Sequence, residues 1–384
     1  MEQPADFLFR HFWMAGFECS SHRRRDGVRL DLIRATRHDR FAAQDYAAVA
    51  AHGLRGVRDG LRWHLIETAP GRYSWDSWLP MVEAAENAGI EVNWDIFHYG
   101  LPDFHDVRSD DFPKIYADYA AAAAEAHLRA TGRPIRACPL NEISFYAWAL
   151  DHQYFGPSTA DHPPGWIKRR LIQAAVAAAH AMEDVCPGRR FFWAEPLIHV
   201  APHERRADTV RRAERNRQSQ FEVYDMLLGR AAPELGGHPG MVDAIGLNFY
   251  PHNQWYWEGP TIPMGQHEYR PLRDMLVEVW QRYGIPLFIA ETGAEGTARP
   301  AWLHYVCDEV RAAMALGVPV EAICIYPVTE YPGWDNSRHC EVGLLGDADR
   351  SGHRPVNQPM AEELARQQKL FEALPSSSPV LTEA

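Results

Sequence analysis

A short β-rich run followed by a helix-like run recurs about eight times along the chain, and few folds accommodate that rhythm. Strand candidates span residues 7–17, 56–63, 91–98, 135–140, 190–194, 242–249, 286–290 and 322–327. Between them lie helix-like segments at 42–52, 77–88, 112–131, 167–186, 219–228, 271–283 and 300–316. Gly89, Gly132 and Gly317 close three of these, the residue best suited to the left-handed turn that ends a helix. Parallel strands need long crossover connections, so the alternation argues for an α/β protein with a parallel sheet wrapped by helices. Eight units favour the closed (β/α)8 TIM barrel over an open doubly wound sheet. No GxGxxG follows the first strand, which counts against a dinucleotide-binding fold. With 384 residues, 46% of them hydrophobic, the chain has material for one barrel with insertions. We expect a single domain over 1–374, with loops at the Pro/Gly-rich patches 161–165, 236–240 and 259–265. The Ser- and Pro-rich segment 375–384 reads as a disordered tail.

Charge and cysteine usage exclude several classes. The formal net charge is −12 and no Lys/Arg stripe is interleaved with aromatics, so no nucleic-acid partner is expected. The basic stretch 205–217 also carries Asp208 and Glu214 and reads as a solvated helix face. Six cysteines without a CxxC pair fit a reducing compartment. The N-terminus lacks a basic segment and a long apolar segment, and no apolar run is long enough to span a bilayer. A cytoplasmic protein with no membrane partner is the expectation. The 13 tryptophans accord with carbohydrate binding, because indole faces stack on the C–H faces of sugars, although most such rings serve the core.

In a barrel of this class, functional side chains come from the C-terminal ends of the strands. Strand 2 offers Arg58 and Arg62, and strand 3 ends in Asp95, His98 and Tyr99. Strand 4 delivers Asn141 and Glu142, strand 5 Glu195, strand 6 Asn248 and Tyr250, and strand 7 Glu291. Strand 8 leads into Glu330, Trp334 and Asp335. Carboxylates at the mouths of strands 4 and 7 would face each other, as glycosidic cleavage requires. One is protonated to assist the leaving oxygen, and the other is ionised at the anomeric carbon.

These segments resemble family 1 β-glycosidases and the wider clan of barrels with catalytic glutamates on strands 4 and 7. The family's Asn-Glu-Pro motif stands here as Asn141-Glu142-Ile143, and its Glu-Asn-Gly motif as Glu291-Thr292-Gly293. Arg58-Asp59-Gly60-Leu61-Arg62-Trp63, Phe97-His98-Tyr99-Gly100-Leu101-Pro102 and Gly246-Leu247-Asn248-Phe249-Tyr250 are similar to its motifs on strands 2, 3 and 6. The segment from Tyr326 to Trp334 keeps the strand-8 spacing, and the likeness runs from about residue 7 to 357. It departs in two places. Gly333 stands where the family has a Glu that holds sugar hydroxyls, and Ser20-Ser21-His22-Arg23-Arg24-Arg25 stands where a Gln that binds the same sugar is usual.

The resemblance implies a retaining glycoside hydrolase acting on a β-glycoside, with Glu291 as nucleophile and Glu142 as acid/base. Arg58 would lower the pKa of Glu291 and Tyr250 would donate to it. Asn141 would donate to the sugar 2-hydroxyl, His98 and Trp334 would contact sugar, and Asn248 belongs to the strand-6 motif. Glu195 either touches substrate or pairs with an arginine. Residues 23–25 either favour an anionic substrate or form a salt-bridged surface loop. A transglycosidase would use the same residues, and a silent carbohydrate-binding barrel would keep the fold. A metal-dependent hydrolase, prompted by 19 histidines, lacks an HxH pair on strand 1. The expected mechanism requires no cofactor and no metal. Sugar, linkage and oligomeric state are open from sequence.

Overall fold

The computed structural model describes residues 7–155, 161–334 and 336–374. The expected tail 375–384 and Asp335 lie outside the described residues. Eight strands close into a barrel: β1 (Trp13–Gly16), β2 (Gly56–Gly60), β3 (Glu91–Asp95), β4 (Arg136–Cys138), β5 (Arg190–Pro196), β6 (Ala244–Asn248), β7 (Leu287–Thr292) and β8 (Val320–Ile325). Neighbours follow chain order, β8 returns to β1, and every pair is parallel. All eight expected strands are present, and the barrel is the fold anticipated. Several are shorter than their apolar runs. Residues 7–12 do not extend β1; Leu8 and Phe9 instead plug the N-terminal end, with Phe9 4.5 Å from the Phe288 ring.

Period-two alternation explains how one apolar strand serves two environments. Phe192 and Ala194 of β5, Phe288 and Ala290 of β7, and Ala322 and Cys324 of β8 fill the barrel interior. Their neighbours Trp193, Ile289, Ile323 and Ile325 pack in the outer core with the helices. Small interior residues are required where strands converge. A Cβ on Gly16 would lie 1.9 Å from Tyr326 Cδ2, and one on Gly246 2.7 Å from the Trp193 carbonyl. The Tyr326 ring therefore occupies space that a larger residue at position 16 would need.

The helix Phe112–Thr131 coincides with its expected span, and Gly89 and Gly132 adopt the left-handed C-cap geometry. Helix Ala207–Gln218 buries only Ala213, so the basic stretch is a solvated face as read. Among the described residues four α-helices were not anticipated, two of them the four-residue turns Leu32–Ala35 and Trp63–Ile66. Ile143–Asp151 follows β4 directly, and Gln358–Glu372 closes the last unit with Asn357 Oδ1 accepting from the Met360 N–H. The latter buries only Met360, Leu364, Gln367 and Phe371, a sparse pattern over a segment rich in polar and charged residues. Among the described residues no helix is long and apolar enough to cross a membrane.

A buried ionic network ties helix His38–Ala51 to β2 and the C-terminal loop. His38 touches Asp45 through Nδ1 and Asp59 through Nε2, both at 2.8 Å, while Arg354 binds Asp45 at 2.6 Å. Burial disfavours charge on His38, but the two aspartates overcome it and raise its pKa to about 9. A folded-state pKa above the unfolded value of 6.5 means that the stabilisation is complete below pH 6.5 and is lost as pH rises through 9. The loss amounts to roughly 3 kcal/mol. His38→Gln should flatten the alkaline slope of stability in denaturant titrations between pH 6.5 and 9.5. An unchanged slope would remove His38 as its source.

Candidate active site

Strand ends bring two buried carboxylates to the barrel mouth. Glu142 follows β4 with φ +45° and ψ +60°, and its N–H donates to Ala194 O at 2.9 Å. A non-glycine residue in this conformation carries strain that surrounding contacts must offset. Its side chain is 8% exposed; Tyr99 donates to Oε2 at 2.6 Å and Asn248 Nδ2 to Oε1 at 2.8 Å. Glu291, in β7, is 5% exposed and accepts from Arg58 at 3.1 Å and from the Tyr250 hydroxyl at 2.9 Å.

Burial, then the charge of Glu291, raises the Glu142 pKa to about 8, against the donors Tyr99 and Asn248. Burial also raises the Glu291 carboxyl above its ordinary value. The lowering by Arg58 is present as expected, but the net shift is upward. Arg58 and His98 do pull it down, but desolvation prevails, and Arg58 divides its charge with Asp95.

Arg58 is fully buried at the centre of the site. It donates to Ala290 O (2.9 Å), Glu291 (3.1 Å), Asp95 (2.7 Å) and Asn141 Oδ1 (3.1 Å). Asn141 is thereby oriented, with Nδ2 between Tyr99 Oη (3.1 Å) and His98 Nε2 (3.2 Å). His98 Nδ1 lies 3.0 Å from Asp95 and 3.2 Å from Cys19 Sγ. Burial opposes charge on His98, yet Asp95 and Glu18 raise its pKa. Cys19, Asp95 and His98 converge closely enough to be considered as metal ligands. Arg58 already occupies the same Asp95 oxygen, and burial holds the Cys19 thiol protonated, so the trio reads as a hydrogen-bonded cluster.

The other expected residues divide. Trp334 packs edge-on against Tyr99 at 5.7 Å, with Phe145 and Phe155 also within 6 Å. Among the described residues Glu195 pairs with no arginine. It accepts from the Ser144 N–H at 3.2 Å and from the Ser144 hydroxyl, stabilising the N-terminus of the helix that follows Glu142. Of the arginine run, Arg23 pairs with Asp103 and Arg24 with Asp26, which supports the salt-bridged loop rather than an anion site. Arg62 turns to Asp31 and Asp39, and Glu330 to Arg299. A cavity of about 520 Å³ opens beside Tyr99, lined by the loops after β1 and β3 and by helix Ile143–Asp151.

Two residues of the site were given no role from sequence, although Tyr99 stands among the candidates at the end of strand 3. Tyr99, at φ +68°, bonds both Glu142 and Asn141. Glu18, 3% exposed just beyond β1, approaches His98 to 3.8 Å. A backbone outlier and a carboxylate inside an apolar run are the only cues for them, and neither names a partner.

The fold and the facing carboxylates define an eight-stranded barrel with a paired-glutamate mouth. Solved structures of similar shape include β-glycosidases. The chain aligns with the β-glycosidase BGL167 at TM-score 0.72 and 18% identity, covering 98% of this chain and 99% of that one. A family 1 β-glucosidase from Thermotoga maritima aligns at TM-score 0.68 and 14% identity, over 96% and 98% of the two chains. The same enzyme in complex with isofagomine lactam gives 0.70 and 15%, with the same coverage. No protein-family model and no curated protein matches the sequence.

Proposed function

We propose that the chain is a retaining glycoside hydrolase acting on a β-glycoside by double displacement, with Glu291 as nucleophile and Glu142 as acid/base. The observation that carries this reading is the unequal treatment of the two carboxylates. Glu142 is held protonated by burial and by its partner's charge, whereas Glu291 is braced by Arg58 and Tyr250. In the first step Glu142 gives its proton to the glycosidic oxygen as the bond to the anomeric carbon breaks. Glu291 forms an ester to that carbon. The ester carries no charge, so the second largest influence raising Glu142 disappears. Glu142, now a carboxylate, takes a proton from water while the water oxygen displaces Glu291. Asn141, Asn248, His98 and Trp334 line the sugar side, and Glu195 positions Glu142 through Ser144. Six buried free thiols support the cytoplasmic reading.

Incubation with activated 2-fluoro-glycosides followed by peptide mass spectrometry tests the assignment. A covalent adduct on Glu291 is expected, and an adduct on Glu195 or Glu330 would overturn it. The proton inventory adds a pH prediction. The alkaline limb of kcat/KM should fall through about pH 8, where free Glu142 loses its proton. In Glu142→Gln that limb should vanish. Turnover of substrates with poor leaving groups should drop about 10³-fold, while the first step on activated aryl glycosides changes little. Survival of the limb would assign it to another group.

A further inference from the structure

Among the described residues six non-glycine residues stand at positive φ, and two of them share one hydrogen bond. Tyr99, at φ +68° beyond β3, donates to Glu142, at φ +45° beyond β4, over 2.6 Å. Left-handed backbone disfavours any residue with a Cβ, and such strain persists only where the surroundings hold it. Both sides are held. Gly100 lies so close to the loop after β1 that a Cβ there would come within 1.8 Å of Ser21 Oγ, and the Glu142 N–H is tied to Ala194 O at 2.9 Å. The Tyr99 ring is buried and packs 5.3 Å from Tyr146 and 5.4 Å from Phe155. Two strained segments thus converge on a single bond to one carboxylate oxygen.

The direction of that bond is fixed from its far end. Arg58 has only donors, so its contact to Asn141 Oδ1 at 3.1 Å turns the Asn141 amide with Nδ2 towards Tyr99 Oη, also at 3.1 Å. Oη accepts there, and the Tyr99 proton is left for Glu142 Oε2. Burial, then the charges of Glu142 and Glu291, raises the Tyr99 hydroxyl well above its ordinary pKa, so it stays a donor. Tyr99 could accept a proton from Oε2 only by leaving its own O–H unpaired in a buried site. Oε1 faces a more adaptable partner. Asn248 Nδ2 donates to it at 2.8 Å, while Asn248 Oδ1 is buried without a partner among the described residues. By turning over, that amide offers an N–H to a carboxylate or a C=O to a carboxylic acid.

We propose that Tyr99 is the positioning residue of the acid/base: it holds Oε2 as the accepting oxygen in both chemical steps, so that the travelling proton is carried on Oε1. The inference rests on the glycosidase reading above and deepens it. In the first step the Oε1 proton passes to the glycosidic oxygen as the bond to the anomeric carbon breaks. In the second, Oε1 takes a proton from water as the water oxygen bonds to that carbon and the Glu291 ester opens. The Tyr99 proton stays on Tyr99 throughout. The titratable groups facing Glu142 are Tyr99 beyond β3, Glu195 of β5 and Glu291 of β7, and of these Tyr99 alone favours the carboxylate form.

The test is Tyr99→Phe, which keeps the ring and removes the hydroxyl. Loss of a donor to the carboxylate raises the Glu142 pKa, so the alkaline limb of kcat/KM should move up from about pH 8 by about one unit. On an activated aryl glycoside, where opening of the ester limits turnover, the acid limb of kcat should move up equally. Below that limb kcat and KM should fall together by about tenfold, with kcat/KM held within about threefold. Replacing Tyr99 by 3-fluorotyrosine gives a more acidic hydroxyl of nearly the same size. It donates more strongly and should move the alkaline limb the other way, below that of wild type, and it decides the matter if Tyr99→Phe does not fold. A residue that serves packing alone would produce no such opposed shifts. An alkaline limb unmoved by both replacements, or moved the same way by both, overturns this inference and leaves Glu142 as acid/base. Wild type without turnover on any glycoside removes the glycosidase reading with it.

Discussion

Glu291→Gln should cut kcat on an aryl glycoside by about 10⁴-fold or more while leaving the fold intact. The amide is nearly isosteric and keeps an oxygen for Arg58 or Tyr250, but it cannot form the ester on which double displacement depends. Arg58 retains Asp95 at 2.7 Å, so the buried guanidinium is not stranded. The loss should appear in the chemical step, with KM little changed and the 2-fluoro-glycoside adduct gone. The shorter Glu291→Ala leaves a void where the carboxylate stood. Azide entering it should restore turnover and release a glycosyl azide of inverted anomeric configuration. Turnover within tenfold of wild type in Glu291→Gln would refute the nucleophile assignment outright.

Arg58→Met should be the most damaging single substitution for stability. It leaves Asp95 fully buried with its strongest partner gone, and strips donors from Asn141 Oδ1 and the Ala290 carbonyl. Removing one member of a buried ion pair costs about 3–5 kcal/mol, a fall in unfolding midpoint of about 5 °C for a chain of this length. The carboxyl of Glu291, already raised by burial, loses its main counterweight. The acid limb of any residual activity should therefore move to higher pH. Arg58→Lys keeps a charge, but a single ammonium cannot span Glu291, Asp95, Asn141 and the Ala290 carbonyl. It should recover stability in part while activity stays at least 10²-fold down. A Met variant that melts with wild type would show that Asp95 is satisfied elsewhere.

Periodicity and punctuation exposed the architecture because they are local properties. The runs around Phe288–Ala290 and Ala322–Ile325 are apolar on both strand faces, and Gly89 and Gly132 mark helix ends by a backbone conformation that few other residues tolerate. Helix Gln358–Glu372 escaped because only four of its positions are buried and most of the rest are polar. Helix Ile143–Asp151 escaped because it begins at once after the strand-4 carboxylate, in a segment so apolar that no amphipathic stripe stands out.

By itself, the sequence determined the class of fold and the strand ends that carry Glu142 and Glu291, since both depend on order along the chain. Only the tertiary structure decided what those side chains meet. Arg58 joins groups from β3, β4 and β7, separated by up to 233 residues. Glu195 turns from a candidate sugar contact into a brace on Ser144, and Glu18 reaches His98 from 80 positions away. The direction of the Glu291 shift belongs to the same category. Charge partners favour ionisation and burial opposes it, and the balance depends on how much water the closed barrel excludes from the site.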